Sequence, residues 1–147
     1  MKISTKFRYG LRAMLDLSLS QQDHPILVQS IAERQQLSKK YLENLLIALK
    51  SAGLVRSVRG AKGGYLLAKK PEDITIEAIA TALEGPMLLA DCAGDSHSCA
   101  RAEECATQEL WADMTNALVD IMRNKTLADI VARSRELAAK QGGMYYI

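Results

Sequence analysis

Three cysteines within a short stretch are the residues of this chain most able to do chemistry. They are Cys92, Cys99 and Cys105, separated by six and then five residues. The segment around them is rich in glycine, serine and aspartate, which favours a loop over a regular helix or strand. An odd number argues against a disulfide framework, and buried structural cysteines would lie at apolar positions instead of clustering in a polar loop. The clustered thiols therefore predict a metal site.

The number of thiols bears on which metal group they could hold. Zinc normally takes four Cys or His ligands, often with C-x-x-C pairs, which this sequence lacks. Three thiolates on a loop suit an iron-sulfur cluster whose remaining position is filled by another type of ligand. A thiol-based enzyme is the alternative from a different class, but there is no C-x-x-C redox pair, and neither His24 nor His97 has a recognisable nucleophile-base setting. We therefore predict a protein that is not an enzyme.

Charge is distributed unevenly along the 147 residues. Residues 1–70 carry 13 lysines and arginines against 4 aspartates and glutamates, a net charge of +9, whereas residues 71–147 carry 6 against 13, a net of −7. Such segregation indicates that the first half binds a polyanion such as nucleic acid. The chain has no secretory signal and no apolar run long enough to span a membrane, so we expect a soluble, cytoplasmic protein.

The basic half has the pattern of a helix-turn-helix. Apolar residues at helical spacing predict helices from Thr5 to about Ser20, from Val28 to about Gln36, and from Ser38 to the turn at Gly53. The third helix is predicted to bury a leucine stripe, so its opposite face should be exposed. In helix-turn-helix proteins the corresponding face enters the major groove of DNA. The candidate DNA-binding residues of this helix are Ser38, Lys39, Lys40, Glu43 and Asn44.

A predicted wing follows this helix. Two short strand-like runs, from Leu54 to Val58 and from Tyr65 to Ala68, flank a loop of three glycines and two cations. Arg59 and Lys62 in this loop can reach phosphates or a minor groove. We discount a nucleotide phosphate loop for two reasons. The glycine and lysine spacing does not match G-x-x-x-x-G-K-[ST], and a second strand follows the loop where a phosphate loop would be followed by a helix.

The acidic half predicts a dimerisation module. A short helix ends at Gly85, a loop over about 86–105 holds the cysteines, and a long helix runs to about Asn124, before a last helix capped by Thr126. A small winged domain cannot cover the apolar stripe of the long helix, so we predict a homodimer formed through it. The stripe consists of Leu110, Trp111, Met114, Leu118, Ile121 and Met122. The predicted fold is mostly α with a small β-wing: a winged helix-turn-helix domain over residues 1–70 and dimerisation helices over 71–147.

Over nearly the whole chain, the sequence resembles the family of winged-helix repressors typified by the iron-sulfur cluster regulator IscR, which includes nitric-oxide-sensing and cysteine-metabolism repressors. The similar segments are Lys2-Ile-Ser-Thr-Lys, Tyr9-Gly-Leu-Arg-Ala-Met14, Tyr41-Leu-Glu43, Arg59-Gly-Ala-Lys-Gly-Gly-Tyr-Leu-Leu67, Leu83-Glu-Gly85, the cysteine triplet and Thr126-Leu-Ala-Asp129. The resemblance implies that the three cysteines are cluster ligands, that Ser38, Tyr41 and Glu43 lie in the recognition helix, and that Arg59 lies in the wing.

The chain departs from the IscR type at one position. A histidine shortly after the third cysteine completes the cluster there, and Gln108 takes its place here. The fourth ligand could be Gln108, His97, Glu104, Glu109, water or a residue of the partner subunit, and the cluster could be [2Fe-2S], which we favour, or [4Fe-4S].

The leading prediction is a transcriptional regulator, expected to be a repressor, which binds an imperfect inverted repeat in duplex DNA under control of the cluster. The alternative is a regulator of the same fold without a cluster, controlled by a partner protein or by thiol oxidation.

Overall fold

Six helices and one two-stranded sheet make up the regular structure of the described part of the chain. The computed structural model describes residues 2–20, 24–94, 99–101 and 104–142. The helices are α1 (Thr5–Ser20), α2 (Val28–Gln35), α3 (Lys39–Ser51), α4 (Ile76–Glu84), α5 (Ala106–Arg123) and α6 (Leu127–Gly142), and the strands are β1 (Val55–Val58) and β2 (Gly64–Leu67). Short 3-10 turns lie at Pro71–Asp73 and Asp91–Ala93.

The turn between α2 and α3 is fixed by its own backbone. Gln36 takes a left-handed conformation, with a φ of 54°, and its N–H reaches the carbonyls of Ala32 and Glu33. The Ser38 hydroxyl then accepts the Tyr41 N–H at 3.2 Å and caps α3. Side-chain capping satisfies one of the orphan donors of a helix start, so α3 begins at the residue after its cap.

Strands β1 and β2 form an antiparallel hairpin in which Val55 pairs with Leu67 and Val58 pairs with Gly64. Ile26 extends this hairpin by one bridge, since its N–H and carbonyl bond Tyr65 at 2.9 and 2.8 Å. A Cβ on Gly64 would lie 2.3 Å from the Ile26 carbonyl oxygen. Glycine is therefore required where the segment before α2 crosses the hairpin.

One hydrophobic core joins the helices of both halves of the chain. Helix α4 packs on α1 and α3, and the close approach of α1 and α4 occurs at Gly10, where a Cβ would meet the Leu83 side chain. Helices α5 and α6 contribute Met122, Leu127 and Val131 to the same core. The core lies between α1, α3 and α4, which leaves the outer face of α3 and most of α5 at the surface.

The predicted fold class is confirmed: the described chain is mostly helical with one small antiparallel sheet. The predicted helix and strand bounds agree with the observed ones to within three residues. The division into a DNA-binding unit over 1–70 and a dimerisation unit over 71–147 stays a prediction. No helix within the described ranges is long and apolar enough to cross a membrane.

Candidate functional site

The outer face of α3 presents a group of polar side chains next to the helix-turn-helix turn. Ser38, Lys39, Lys40 and Asn44 are exposed, and Glu43 is half-buried. Glu43 Oε1 lies 4.0 Å from Lys39 Nζ in a surface pair, which is a weak interaction. The structure therefore brings the predicted residues together on one open helical face.

Tyr41 differs from these residues because its ring packs within the protein. It is half-buried, and its ring meets that of Tyr9 edge to face with centroids 6.2 Å apart. The guanidinium of Arg12 also lies over the Tyr9 ring, 5.5 Å from its centroid. Tyr41 thus contacts α1 through its ring and stands at the edge of the exposed face of α3.

The loop between the strands carries the predicted cations into solvent. Arg59 and Lys62 are both exposed, and Gly63 donates to the Gly60 carbonyl at 2.9 Å to close the turn. Lys50, near the end of α3, donates to the Ser57 hydroxyl of β1 at 2.6 Å. The hairpin also packs on α3 near the buried Leu54, whose N–H donates to the Leu49 carbonyl at 3.0 Å, so the two basic elements have a defined relative orientation.

Sequence reasoning missed a hydrogen-bond network around the buried carboxylate of Asp16. Asp16 is 5% exposed and accepts from Arg34 at 2.6 and 3.0 Å and from Gln35 at 2.8 Å. Arg12 also donates to the side chain and the backbone carbonyl of Gln35, at 3.0 and 2.9 Å. The hydrogen bond with Asp16 is the main cause of a raised pKa at Arg34. The signal in the sequence was an acid within the apolar stripe of α1, between Met14 and Leu17.

The cysteine loop is held against α5 at two points. The Leu89 N–H donates to the buried Thr115 hydroxyl at 3.2 Å. The Gln108 side-chain amide donates to the Cys92 carbonyl at 3.0 Å. Gln108 therefore lies beside the first cysteine, at the position that the family resemblance marks for the fourth ligand.

Cys105 is the N-cap residue of α5, and its local hydrogen bonds lower the pKa of its thiol. Its Sγ lies 3.2 Å from the Thr107 hydroxyl, and that hydrogen bond, followed by the backbone N–H of Gln108, lowers the pKa of the Cys105 thiol below its ordinary value. Helix N-termini stabilise negative charge in the same way.

The donor chemistry of the loop suits an iron-sulfur cluster, but the described residues do not assemble a complete site. All three cysteines are free thiols; Cys92 and Cys105 are partly buried and Cys99 is exposed. Within residues 2–20, 24–94, 99–101 and 104–142, no three His, Cys, Asp or Glu side chains form a group that could hold a metal ion. His97 lies outside the described residues. Glu104 and Glu109 are exposed near the start of α5.

Helix α5 has one face in the core and one apolar face in solvent. Leu110, Trp111, Met114 and Ile121 are exposed by 51, 36, 42 and 65%. Two residues of the predicted stripe point elsewhere, because Met122 is buried in the core of its own chain and Leu118 packs against that core. The apolar surface of α5 therefore comprises the other four side chains.

The fold, together with the basic residues on the exposed face of α3 and in the Arg59 loop, defines a winged helix-turn-helix protein. A family model described as "Rrf2: Iron-dependent Transcriptional regulator" matches residues 3–133. The chain is 40% identical over 131 residues to the HTH-type transcriptional regulator IscR of Erwinia tasmaniensis, covering 89% of this chain and 79% of that protein. It is 39% identical to the HTH-type transcriptional regulator CymR of Bacillus subtilis over 100% of both chains.

A solved structure of T. potens IscR is similar in three dimensions, with a TM-score of 0.78 and 39% identity, covering 99% of this chain and 97% of the other. The chain belongs to the Rrf2 family of transcriptional regulators. This confirms the resemblance stated from the sequence, and the names of the relatives are those of regulators of transcription.

Proposed function

We propose that this transcriptional regulator is a homodimeric repressor that binds an imperfect inverted repeat in DNA under control of an iron-sulfur cluster. The observation that carries the DNA-binding part is the fixed pairing of two basic elements. Strand β1 packs on α3, and the N–H of the buried Leu54 donates to the Leu49 carbonyl at 3.0 Å, so the exposed face of α3 and the Arg59 loop keep one relative orientation. In winged-helix geometry such a helix reads the major groove, while the loop contacts the backbone or the minor groove.

A salt titration of duplex binding tests this part. Phosphate contacts release counterions, so the logarithm of affinity should fall linearly with the logarithm of salt concentration. Arg59→Ala should weaken binding to most sequences and lower that slope by about one unit. Arg135→Ala is the matched control, because it removes an exposed arginine from α6, a helix that is not part of the proposed DNA-binding face. Salt-independent binding, or equal losses for the two variants, would contradict the proposal.

The cluster would be held by Cys92, Cys99 and Cys105. Such a cluster supplies redox chemistry and sensitivity to oxidants, and its potential and stability depend on the ligands. Two observations support this proposal: the pKa of the Cys105 thiol is lowered by its hydrogen bond with Thr107, and the Gln108 side chain donates to the Cys92 carbonyl. Gln108, His97, Glu104, Glu109 and a residue of the partner subunit remain candidates for the fourth position, and [2Fe-2S] is favoured over [4Fe-4S].

A second candidate function is a regulator of the same fold that responds through its thiols without a cluster. The lowered pKa of Cys105 favours it, since thiolates are the reactive form toward oxidants. So does the similarity to CymR, described as the global cysteine regulator of B. subtilis. Anaerobic purification separates the two candidates. A brown protein supports the cluster if its visible absorption disappears in each single Cys→Ala variant. A protein that stays colourless when iron and sulfide are supplied supports the thiol mechanism.

Dimerisation through α5 is proposed from its four exposed apolar side chains. They recur over three turns of one helix, as on a surface that a second copy covers. Two-fold dimers read inverted repeats, because the symmetry of the protein matches that of the site. Leu118 and Met122 are left out of this proposed interface, since both pack in their own chain.

A further inference from the structure

A basic depression lies at the base of the hairpin, away from the proposed DNA-binding loop. Arg56, Lys69 and Lys70 line a depression of about 640 Å³ together with Ser18 at the end of α1 and Asp73 of the 3-10 turn. Its volume falls within the range of small-molecule sites. We propose that this depression binds a small polyanion carrying phosphate or adjacent carboxylate groups.

The register of the hairpin separates the depression from the Arg59 loop. Val58 and Gly64 pair at the loop end, whereas Val55 and Leu67 pair at the end that borders the depression. Three residue steps of a strand span about 10 Å. The two groups of cations therefore lie at opposite ends of the hairpin.

The side-chain alternation of β1 separates the depression from the recognition helix as well. Ser57 faces α3, because its hydroxyl accepts from Lys50. Successive side chains of a strand point to opposite faces, so Arg56 is directed away from α3. The cations of the depression are thus placed where the proposed α3 and wing contacts with DNA do not use them.

Among the residues that the structure describes, no carboxylate lies within ion-pair distance of these cations. In the described part of the chain, neither Arg56 nor Lys69 nor Lys70 forms an ion pair, although all three side chains are exposed. Like charges gathered in one concave surface focus a positive potential there, which attracts an anion more strongly than isolated surface lysines do. The guanidinium fork of Arg56 suits the two oxygens of a phosphate or a carboxylate.

Asp73 narrows the class of ligand. It is the only acid among the lining residues described, and its carboxylate repels an anion that fills the whole depression. A complementary ligand would place its anionic groups near the three cations and a hydroxyl or ammonium group near the Asp73 carboxylate. This points to a phosphorylated or polycarboxylate metabolite that also carries such a donor.

Calorimetric titration of the DNA-free full chain tests the site. Two probes distinguish the sources of charge: O-phosphoserine, with a phosphate and an ammonium group, and citrate, with carboxylates and a hydroxyl. We expect wild type to bind at least one of them, and Lys69→Gln/Lys70→Gln to weaken that binding at least tenfold. Lys39→Gln/Lys40→Gln is the matched control, since it removes the same charge from α3, and it should change probe affinity less than twofold.

Three outcomes overturn the proposal. They are absence of binding by wild type at millimolar probe, equal weakening by the two double variants, and a loss of DNA affinity in Lys69→Gln/Lys70→Gln as large as that in Lys39→Gln/Lys40→Gln. The second would reveal a diffuse basic surface, and the third would make the depression part of the DNA-binding face. The probe titration contains no DNA, so it does not depend on the proposed repressor function.

Discussion

The carboxylate of Asp16 is buried between α1 and α2, and the guanidinium of Arg34 lies 2.6 Å from it. The same carboxylate accepts from Gln35, which is also bonded by Arg12. These contacts hold the last turn of α2, directly before the left-handed Gln36 that starts the helix-turn-helix turn. The Asp16–Arg34 pair therefore positions the turn that precedes α3.

Asp16→Ala should destabilise the protein because it leaves Arg34 and Gln35 without their shared acceptor. Arg34 is 44% exposed and can regain water, so we expect a loss of about 2 kcal/mol in the free energy of unfolding, in the range for a charge-assisted hydrogen bond. Urea denaturation measures this loss. Glu136→Ala is the control: it breaks an exposed pair with Arg133 and should cost less than about 0.5 kcal/mol. Similar losses in both variants would refute the positioning role.

Acid stability should depend on the ion pair that joins α4 to α5. Arg123 donates to Glu77 at 2.9 and 3.0 Å and lowers the pKa of Glu77 below its ordinary value of 4.5. A group with a depressed pKa in the folded state stabilises the protein above its unfolded pKa, and this contribution is lost as the pH falls through the folded pKa. Glu77→Gln should therefore lose stability at neutral pH and show a flatter decline below pH 4.5. Thermal melts across pH measure this, with Glu72→Gln as the control, since Glu72 makes no ion pair among the described residues.

Glu43 should act as a selectivity residue on the recognition helix. Its carboxylate either accepts from a cytosine N4 amine or repels nearby phosphates, and its weak pairing with Lys39 leaves it available for both. Glu43→Ala should relax sequence preference, admitting rejected sites at equal or higher general affinity. Binding to a library of half-site variants measures this change. A uniform loss on every sequence would instead indicate that Glu43 only pairs along the helix, an interaction worth a few tenths of a kcal/mol.

Gln108 should set the lability of the proposed cluster. An amide is a poorer donor to iron than a neutral imidazole, so Gln108→His should slow the loss of visible absorption in air. Gln108→Ala is the control for loss of the hydrogen bond to the Cys92 carbonyl, and it should not slow the decay. Equal decay in wild type and Gln108→His would contradict a fourth-ligand position at this residue.

The three cysteines should couple to DNA binding without being required for folding. They lie on a surface loop outside the core, so each Cys→Ala variant should fold and dimerise. A Cys99→Ala variant should differ from cluster-loaded wild type in operator affinity. If the two proteins bound every operator with identical affinity, the proposal that the cluster regulates DNA binding would be refuted, even if the cluster itself were present.

Charged substitutions on the exposed face of α5 should separate the dimer. Burial of an apolar side chain is worth about 1.5–3 kcal/mol, so Trp111→Glu or Ile121→Glu should raise the dimer dissociation constant at least tenfold. Sedimentation equilibrium measures this, and circular dichroism confirms the fold. Leu137→Glu is the matched control, because Leu137 is 46% exposed on α6 and lies outside the proposed interface. A monomeric wild type, or an equal effect of Leu137→Glu, would contradict it.

The local elements and their order are predictable from the amino-acid sequence. Apolar periodicity and the cap at Ser38 located α3, the glycine-rich loop located the hairpin, and the break at Gly85 ended α4. These features depend on residues close in the chain, whose spacing and backbone preferences are visible in the sequence. The family was recognisable for the same reason, since its motifs are local.

Tertiary structure alone decided which residues of those elements meet. It buried Met122 while leaving Ile121 in solvent, and it turned Asp16 from an acid within an apolar stripe into the acceptor that fixes α2. It also gathered Arg56, Lys69 and Lys70 at the base of the hairpin. Each outcome depends on the angle and register at which distant segments pack, and close packing of side chains across those segments sets both.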